Sequence, residues 1–62
     1  MTGFKTLNGT MYQVDTKNHW IVGGQFRYPI YYVRAQIIIG LQAHFWLPNG
    51  QVIQTSPVIA YF

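Results

Sequence analysis

The chain has 62 residues, no cysteine and only five charged side chains, Lys5, Lys17, Arg27, Arg34 and Asp15. A chain this short makes one domain, residues 1–62, and folding buries only about 60% of the surface that the unfolded chain exposes. Disulfides and a structural zinc site are excluded by composition, so stability has to come from dense packing or from association.

Turn chemistry divides the chain into short extended pieces. Asn8-Gly9 is the first strong hairpin signal, because both residues tolerate the positive φ of a tight turn. It separates a strand at residues 4–7 from one at 10–14. The polar run Asp15-Thr16-Lys17-Asn18 suits the next turn. A third strand at 19–22 is rich in branched and aromatic residues, and Trp20 is assigned to the core. Gly23-Gly24 closes it and allows a bulge or a close backbone approach. Pro29 confines residues 28–30 to an edge, a strand start or a loop.

Residues 31–47 read as one long extended tract bent near Gly40, followed by Pro48-Asn49-Gly50 and a final strand. Pro48 fixes φ negative and cannot occupy a turn position that needs positive φ. A three-residue loop fits instead, with Pro48 and Asn49 in a type I turn and Gly50 left-handed. Counting outward opposes Leu47 to Gln51, Trp46 to Val52, Phe45 to Ile53 and His44 to Gln54. Phe45 and Ile53 then share an apolar face with Leu41, Ala43 and Leu47, while Gln42, His44, Gln54 and Ser56 share the other with Trp46 and Val52. The unalternating Ile37-Ile38-Ile39 run suggests a strand covered on both faces, with a second copy supplying one cover. No segment carries helical periodicity. The expected architecture is all-β: an antiparallel meander of about five strands, closed as a small SH3-like barrel or left as a strongly curled sheet.

The chemistry-bearing residues are few. Only Asp15, His19 and His44 are candidates for acid–base work, and no carboxylate pair exists for it. Ser56 with a histidine and Asp15 matches a triad by type, but Ser56 precedes Pro57 without the turn that presents a nucleophile. No metal spacing and no phosphate-binding loop occurs. Neither catalytic nor metal residues are therefore assigned, and no cofactor is expected. Residues 1–5 offer no apolar stretch after a basic start, and the most apolar tract is interrupted by Arg34, Gln36, Gln42 and His44. No secretory signal and no membrane span are expected, which suggests a host-cell cytoplasmic or virion location.

Binding is the better-supported class. The net charge of +3 reflects scarce acids more than clustered bases, and weak repulsion favours self-association. Arg27, Tyr28, Tyr31, Tyr32 and Arg34 interleave rings and guanidiniums. That composition suits a protein interface or stacking on single-stranded bases with cations tracking phosphates. Trp46, on a mixed strand face, reads as a contact anchor. The charge-free end Val58, Ile59, Ala60, Tyr61 and Phe62 would be a liability in water unless docked as a strand, in its own sheet or on a neighbour's edge. Pro57 suits an edge or crossover position there. Partner contacts are assigned to Arg27, Tyr28, Tyr31, Tyr32, Arg34, Trp46, Val58, Ile59, Tyr61 and Phe62.

Two pieces add a resemblance. Asn8-Gly9-Thr10-Met11-Tyr12-Gln13-Val14-Asp15 resembles the Gly-Thr-x-Tyr-x-Val-Asp start of small uncharacterised β-rich proteins encoded by actinobacterial phages. Thr55-Ser56-Pro57-Val58 resembles the Thr-Ser-Pro-Val close of the same group. Between these pieces the group carries more charge than this chain does. The resemblance implies a phage origin and carries no activity and no functional residue with it. The expected function is a non-enzymatic structural or interaction protein, a homo-oligomer that serves as a virion accessory subunit or binds a host protein. A single-strand nucleic-acid binder and an oligomeric small-molecule sponge are the alternatives.

Overall fold

The computed structural model describes residues 2–62. Seven strands follow in chain order: β1 (Gly3–Thr6), β2 (Met11–Asp15), β3 (Trp20–Gly23), β4 (Phe26–Pro29), β5 (Arg34–Gln36), β6 (Gln42–Trp46) and β7 (Val52–Tyr61). A single 3-10 turn, Ile30–Tyr32, separates β4 from β5. The strands lie antiparallel in the order β4-β3-β2-β1-β7-β6-β5, in one strongly curled half-barrel whose margins are β4 and β5.

The all-β class is as expected, but seven strands replace about five. One additional strand, β4, comes from Gly24, which has φ +58° and opens a two-residue turn that brings Phe26 opposite Gly23. The other comes from the breaking of the 31–47 tract. Pro29 has no N–H for a ladder, and the Ile30 N–H turns back to the His19 carbonyl at 2.8 Å. The 3-10 turn follows, and the chain resumes as the short β5.

The two Asn-Gly loops are built alike. At the second, Leu47 N–H donates to Gln51 O at 2.9 Å and Gly50 N–H to Leu47 O at 3.0 Å. Gly50 has φ +84°, and the pairs Trp46–Val52, Phe45–Ile53 and His44–Gln54 stand in the register counted from the sequence. At the first, Thr6 N–H donates to Thr10 O at 3.0 Å and Gly9 N–H to Thr6 O at 2.9 Å. Here the expectation of positive φ at both Asn8 and Gly9 is corrected, since only Gly9 has it, at +90°. Leu7 joins the loop, and the Asn8 carboxamide oxygen accepts the Thr10 N–H at 3.3 Å. Asn49 does the same for Gln51 at 2.9 Å. Asparagine serves these loops through its side chain, not through left-handed backbone.

β7 holds the two halves together. Its first part pairs with β6 and its last part with β1, and both ladders shift register near the change. Pro57 sits at that point. It is therefore a crossover proline inside a central strand, not an edge proline, and the irregular ladder spares it the N–H bond it cannot make. The bulge would strand the Ala43 N–H, which instead donates to the buried Thr55 hydroxyl at 3.1 Å.

The inner face is aromatic. Phe4, Ile21, Phe26, Ala43, Phe45, Leu47 and Val58 are buried, with Tyr12, Tyr28, Val33, Ile37 and Ile53 packed against them. Phe45 on β6 meets Phe26 at 4.6 Å, Tyr12 at 5.8 Å and Phe4 at 6.2 Å between ring centres. Tyr12 also stacks on Phe4 at 4.8 Å. A Cβ at Gly23 would fall within the Tyr12 ring, so the close approach expected there is between strand backbone and an aromatic face.

Four burial expectations fail. Leu41 lies outside the core and is exposed, because residues 38–41 form a turn that closes with Leu41 N–H donating to Ile38 O at 3.1 Å. Ile37-Ile38-Ile39 is not a doubly covered strand; Ile37 packs on the core while Ile38 and Ile39 are exposed. Trp20 is half-buried on the outer face, because its neighbour Ile21 takes the inward position in β3. Val58, assigned as a partner contact, is 1% exposed and belongs to the core.

Phe45 touches rings from three other strands, so its removal should leave a cavity that no neighbour can fill. Phe45→Ala is expected to cost about 3–5 kcal/mol, much of the roughly 3–9 kcal/mol that a chain of this length commands. Urea unfolding followed by tryptophan fluorescence measures it, and a midpoint equal to the parent's would contradict the packing described.

Candidate interaction surfaces

Ten residues were assigned to contacts, and the fold sorts them into separate places. Val58 is core. Tyr28 lies half-buried on the inner face, its ring 4.9 Å from that of Phe26. The remaining eight fall on two surfaces.

The first surface surrounds the 3-10 turn. Tyr31 and Tyr32 are 75% and 66% exposed. Arg27 on β4 lays its guanidinium over the Trp20 ring at 4.9 Å, and Arg34 on β5 lies over Trp46 at 4.7 Å. Each pair follows from register. Arg34 stands directly opposite Trp46, and Arg27 opposite Val22 is diagonal to Trp20 on the same face. His44 lies next to Trp46 with ring centres 5.8 Å apart, and its Nδ1 is buried without a partner. His19 has φ +60°, which brings its ring within 5.3 Å of Tyr31 and its Nδ1 3.4 Å from the Tyr31 hydroxyl. The sequence reading missed Trp20 here. The signal was the Gly24-Gln25 turn: counted as a two-residue loop, it places Trp20 and Arg27 on one face.

The second surface joins the 38–41 turn to the end of β7. The Tyr61 hydroxyl donates to Ile37 O at 3.0 Å and accepts the Ile39 N–H at 3.1 Å. Gly40 N–H donates to Val58 O at 2.8 Å and Val58 N–H to Leu41 O at 2.9 Å. These bonds lay the two segments side by side. Ile38, Ile39, Leu41, Ile59, Tyr61 and Phe62 are each at least 43% exposed, and no Lys, Arg, Asp or Glu occurs anywhere in residues 35–62.

A groove of about 470 Å³ opens on the inner face between Thr10, Tyr12, Gly24, Gln25, Tyr28 and Ile53. Burial pushes the Tyr12 phenol above its ordinary pKa. The candidate triad does not assemble. Asp15 spends its carboxylate on the N–H groups of Lys17 and Asn18 at 3.0 and 3.1 Å and on the Asn18 amide at 3.1 Å. The Ser56 hydroxyl accepts the Asn8 N–H at 3.2 Å. Among the described residues there is no cluster of three metal-ligating side chains, and no helix is long and apolar enough to cross a membrane.

Set against known proteins, the chain matches no family model, no curated protein and no solved structure.

Asp15 is the only acidic side chain. The Asn18 backbone N–H, above all, holds its carboxyl below the ordinary 3.8; desolvation opposes it, and the Asn18 side chain, Lys17 N–H and Arg27 add to the lowering. A depressed folded pKa favours folding above the unfolded value and loses that contribution as pH falls through the folded one. The thermal midpoint is therefore expected to drop on acidification below about pH 4. Asp15→Asn, which keeps an acceptor oxygen, should flatten that limb. An equal acid drop in the variant would show that another group is responsible.

The Tyr61 hydroxyl ties the 38–41 turn to β7. Tyr61→Phe is expected to cost about 1 kcal/mol and to speed amide exchange at Ile39. Unchanged exchange at Ile39 would mean the turn holds its place without that hydroxyl.

Proposed function

We propose that the chain is a non-enzymatic interaction module that associates with a second copy of itself through the surface of residues 38–41 and 59–62. The observation that carries this reading is a joined apolar surface whose own residues include no Lys, Arg, Asp or Glu. Large contiguous apolar patches on small soluble domains mark interaction sites. A partner chosen by charge would call for charged side chains among these residues, and they have none. A surface of neutral aliphatic and aromatic side chains matches itself, which is what a two-fold interface requires. A chain with so few charges also offers little repulsion between copies.

The resemblance to small phage-encoded proteins supports placing such a module as a virion accessory subunit or as a binder of a host protein. In either case the surface around the 3-10 turn lies outside the residues given to self-association.

Light scattering coupled to size exclusion tests the reading. A mass at twice the chain's 7.2 kDa or a higher multiple is expected at micromolar concentration. Ile39→Lys or Leu41→Lys, both at exposed positions, should weaken association by about 10-fold or more with little change in thermal midpoint. A monomer at concentrations near 100 µM would sink the proposal.

A further inference from the structure

We infer that the face around the 3-10 turn binds single-stranded nucleic acid, with Tyr31 and Tyr32 as stacking platforms and Arg27 and Arg34 as phosphate contacts. The reading is independent of self-association, since it uses the opposite class of surface: charged, aromatic and on the margins β4 and β5.

Four observations carry it. Tyr31 and Tyr32 are the most and third most exposed large apolar side chains of the described residues, at 75% and 66%. Neither ring is needed by the core. Each turn flank carries an arginine whose guanidinium lies over an indole, at 4.9 and 4.7 Å. A guanidinium already held on a ring has less side-chain freedom to lose when it meets a phosphate. Among the described residues neither guanidinium donates a hydrogen bond to the protein, so their donors remain unspent. Charge is also segregated. All four cations and the one acid lie in residues 1–34. That acid accepts hydrogen bonds within its own turn, and among the described residues the one cation acting on it is Arg27, with which it makes no hydrogen bond.

The spacing suits a strand better than a point ligand. Arg27 and Arg34 are seven residues apart in sequence and so no more than roughly 24 Å apart, with the two tyrosines between them. A duplex buries its base faces and leaves nothing for exposed tyrosines to stack on, whereas single-strand binders combine sequence-tolerant stacking with cations along the backbone. A protein partner would use the same rings without requiring two unspent guanidiniums.

The test is fluorescence anisotropy with a labelled oligothymidylate of about a dozen nucleotides, at about 25 and 150 mM salt. Two phosphate contacts predict a log–log salt slope of about −1.4, or roughly 12-fold weaker binding across that range. Arg34→Gln should halve the slope. Tyr31→Ala/Tyr32→Ala should lose about 10-fold or more in affinity, with a thermal midpoint near the parent's because neither ring is in the core. Leu7→Gln, at an exposed loop position on neither surface, should bind as the parent does. Absent or salt-independent binding would overturn the inference. So would full affinity in the double tyrosine variant, or displacement of the strand by inorganic polyphosphate at equal phosphate concentration, which would reduce it to charge attraction.

Discussion

Everything in this fold hangs on one strand serving two ladders. β7 gives its first part to β6 and its last part to β1, so the β1–β4 meander and the β5–β6 hairpin are held in one sheet only through it. A strand that changes partners has to bend, and the bend falls where Pro57 has no N–H to offer and where both registers slip. The Leu7 N–H donates to the Pro57 carbonyl at 2.8 Å, and the Thr55 hydroxyl satisfies Ala43. The curl that results brings Phe45 against Phe26, Tyr12 and Phe4. Without the partner change these rings would lie along a flat sheet and find no common core.

That curl also decides what is left outside. Five aromatic rings, Phe4, Tyr12, Phe26, Tyr28 and Phe45, meet on the inner face. Trp20 and Trp46 are left on the outer face, each covered by an arginine from an adjoining strand. Tyr31 and Tyr32 stay in solvent because the 3-10 turn carries them across the margin. At the end of β7 the charge-free 38–41 turn is zipped to that strand by backbone bonds and by the Tyr61 hydroxyl. Two surfaces of different chemistry thus arise from one composition: one aromatic with arginines, one apolar without charged side chains.

Much of the local structure was legible. The Pro48-Asn49-Gly50 loop could be counted because proline fixes φ and glycine accepts the left-handed position, and the register of β6 with β7 followed. The same reasoning misplaced the Asn8-Gly9 loop by one residue, since Asn8 lacks a proline to forbid positive φ and its side chain, not its backbone, does the work. The tract at 31–47 misled because branched and aromatic residues fit a strand wherever they stand; what breaks it is the destination of one N–H, Ile30 to His19, which no local pattern reveals. Of the assigned contacts, Arg27, Tyr31, Tyr32, Arg34, Trp46, Ile59, Tyr61 and Phe62 reach the surface. Val58 does not, because a register shift beside it turns it inward opposite Thr6.

The sequence by itself determined the class, the turns and the shortage of charge. Proline, glycine and asparagine act through their own backbone and side-chain geometry, and a count of five ionic groups needs no structure. It also determined that each strand has two faces, since alternation is a property of the extended chain. Which face would be covered was decided only by the tertiary structure. Burial depends on which distant strand curls over it, and here that rests on β7 exchanging one neighbour for another.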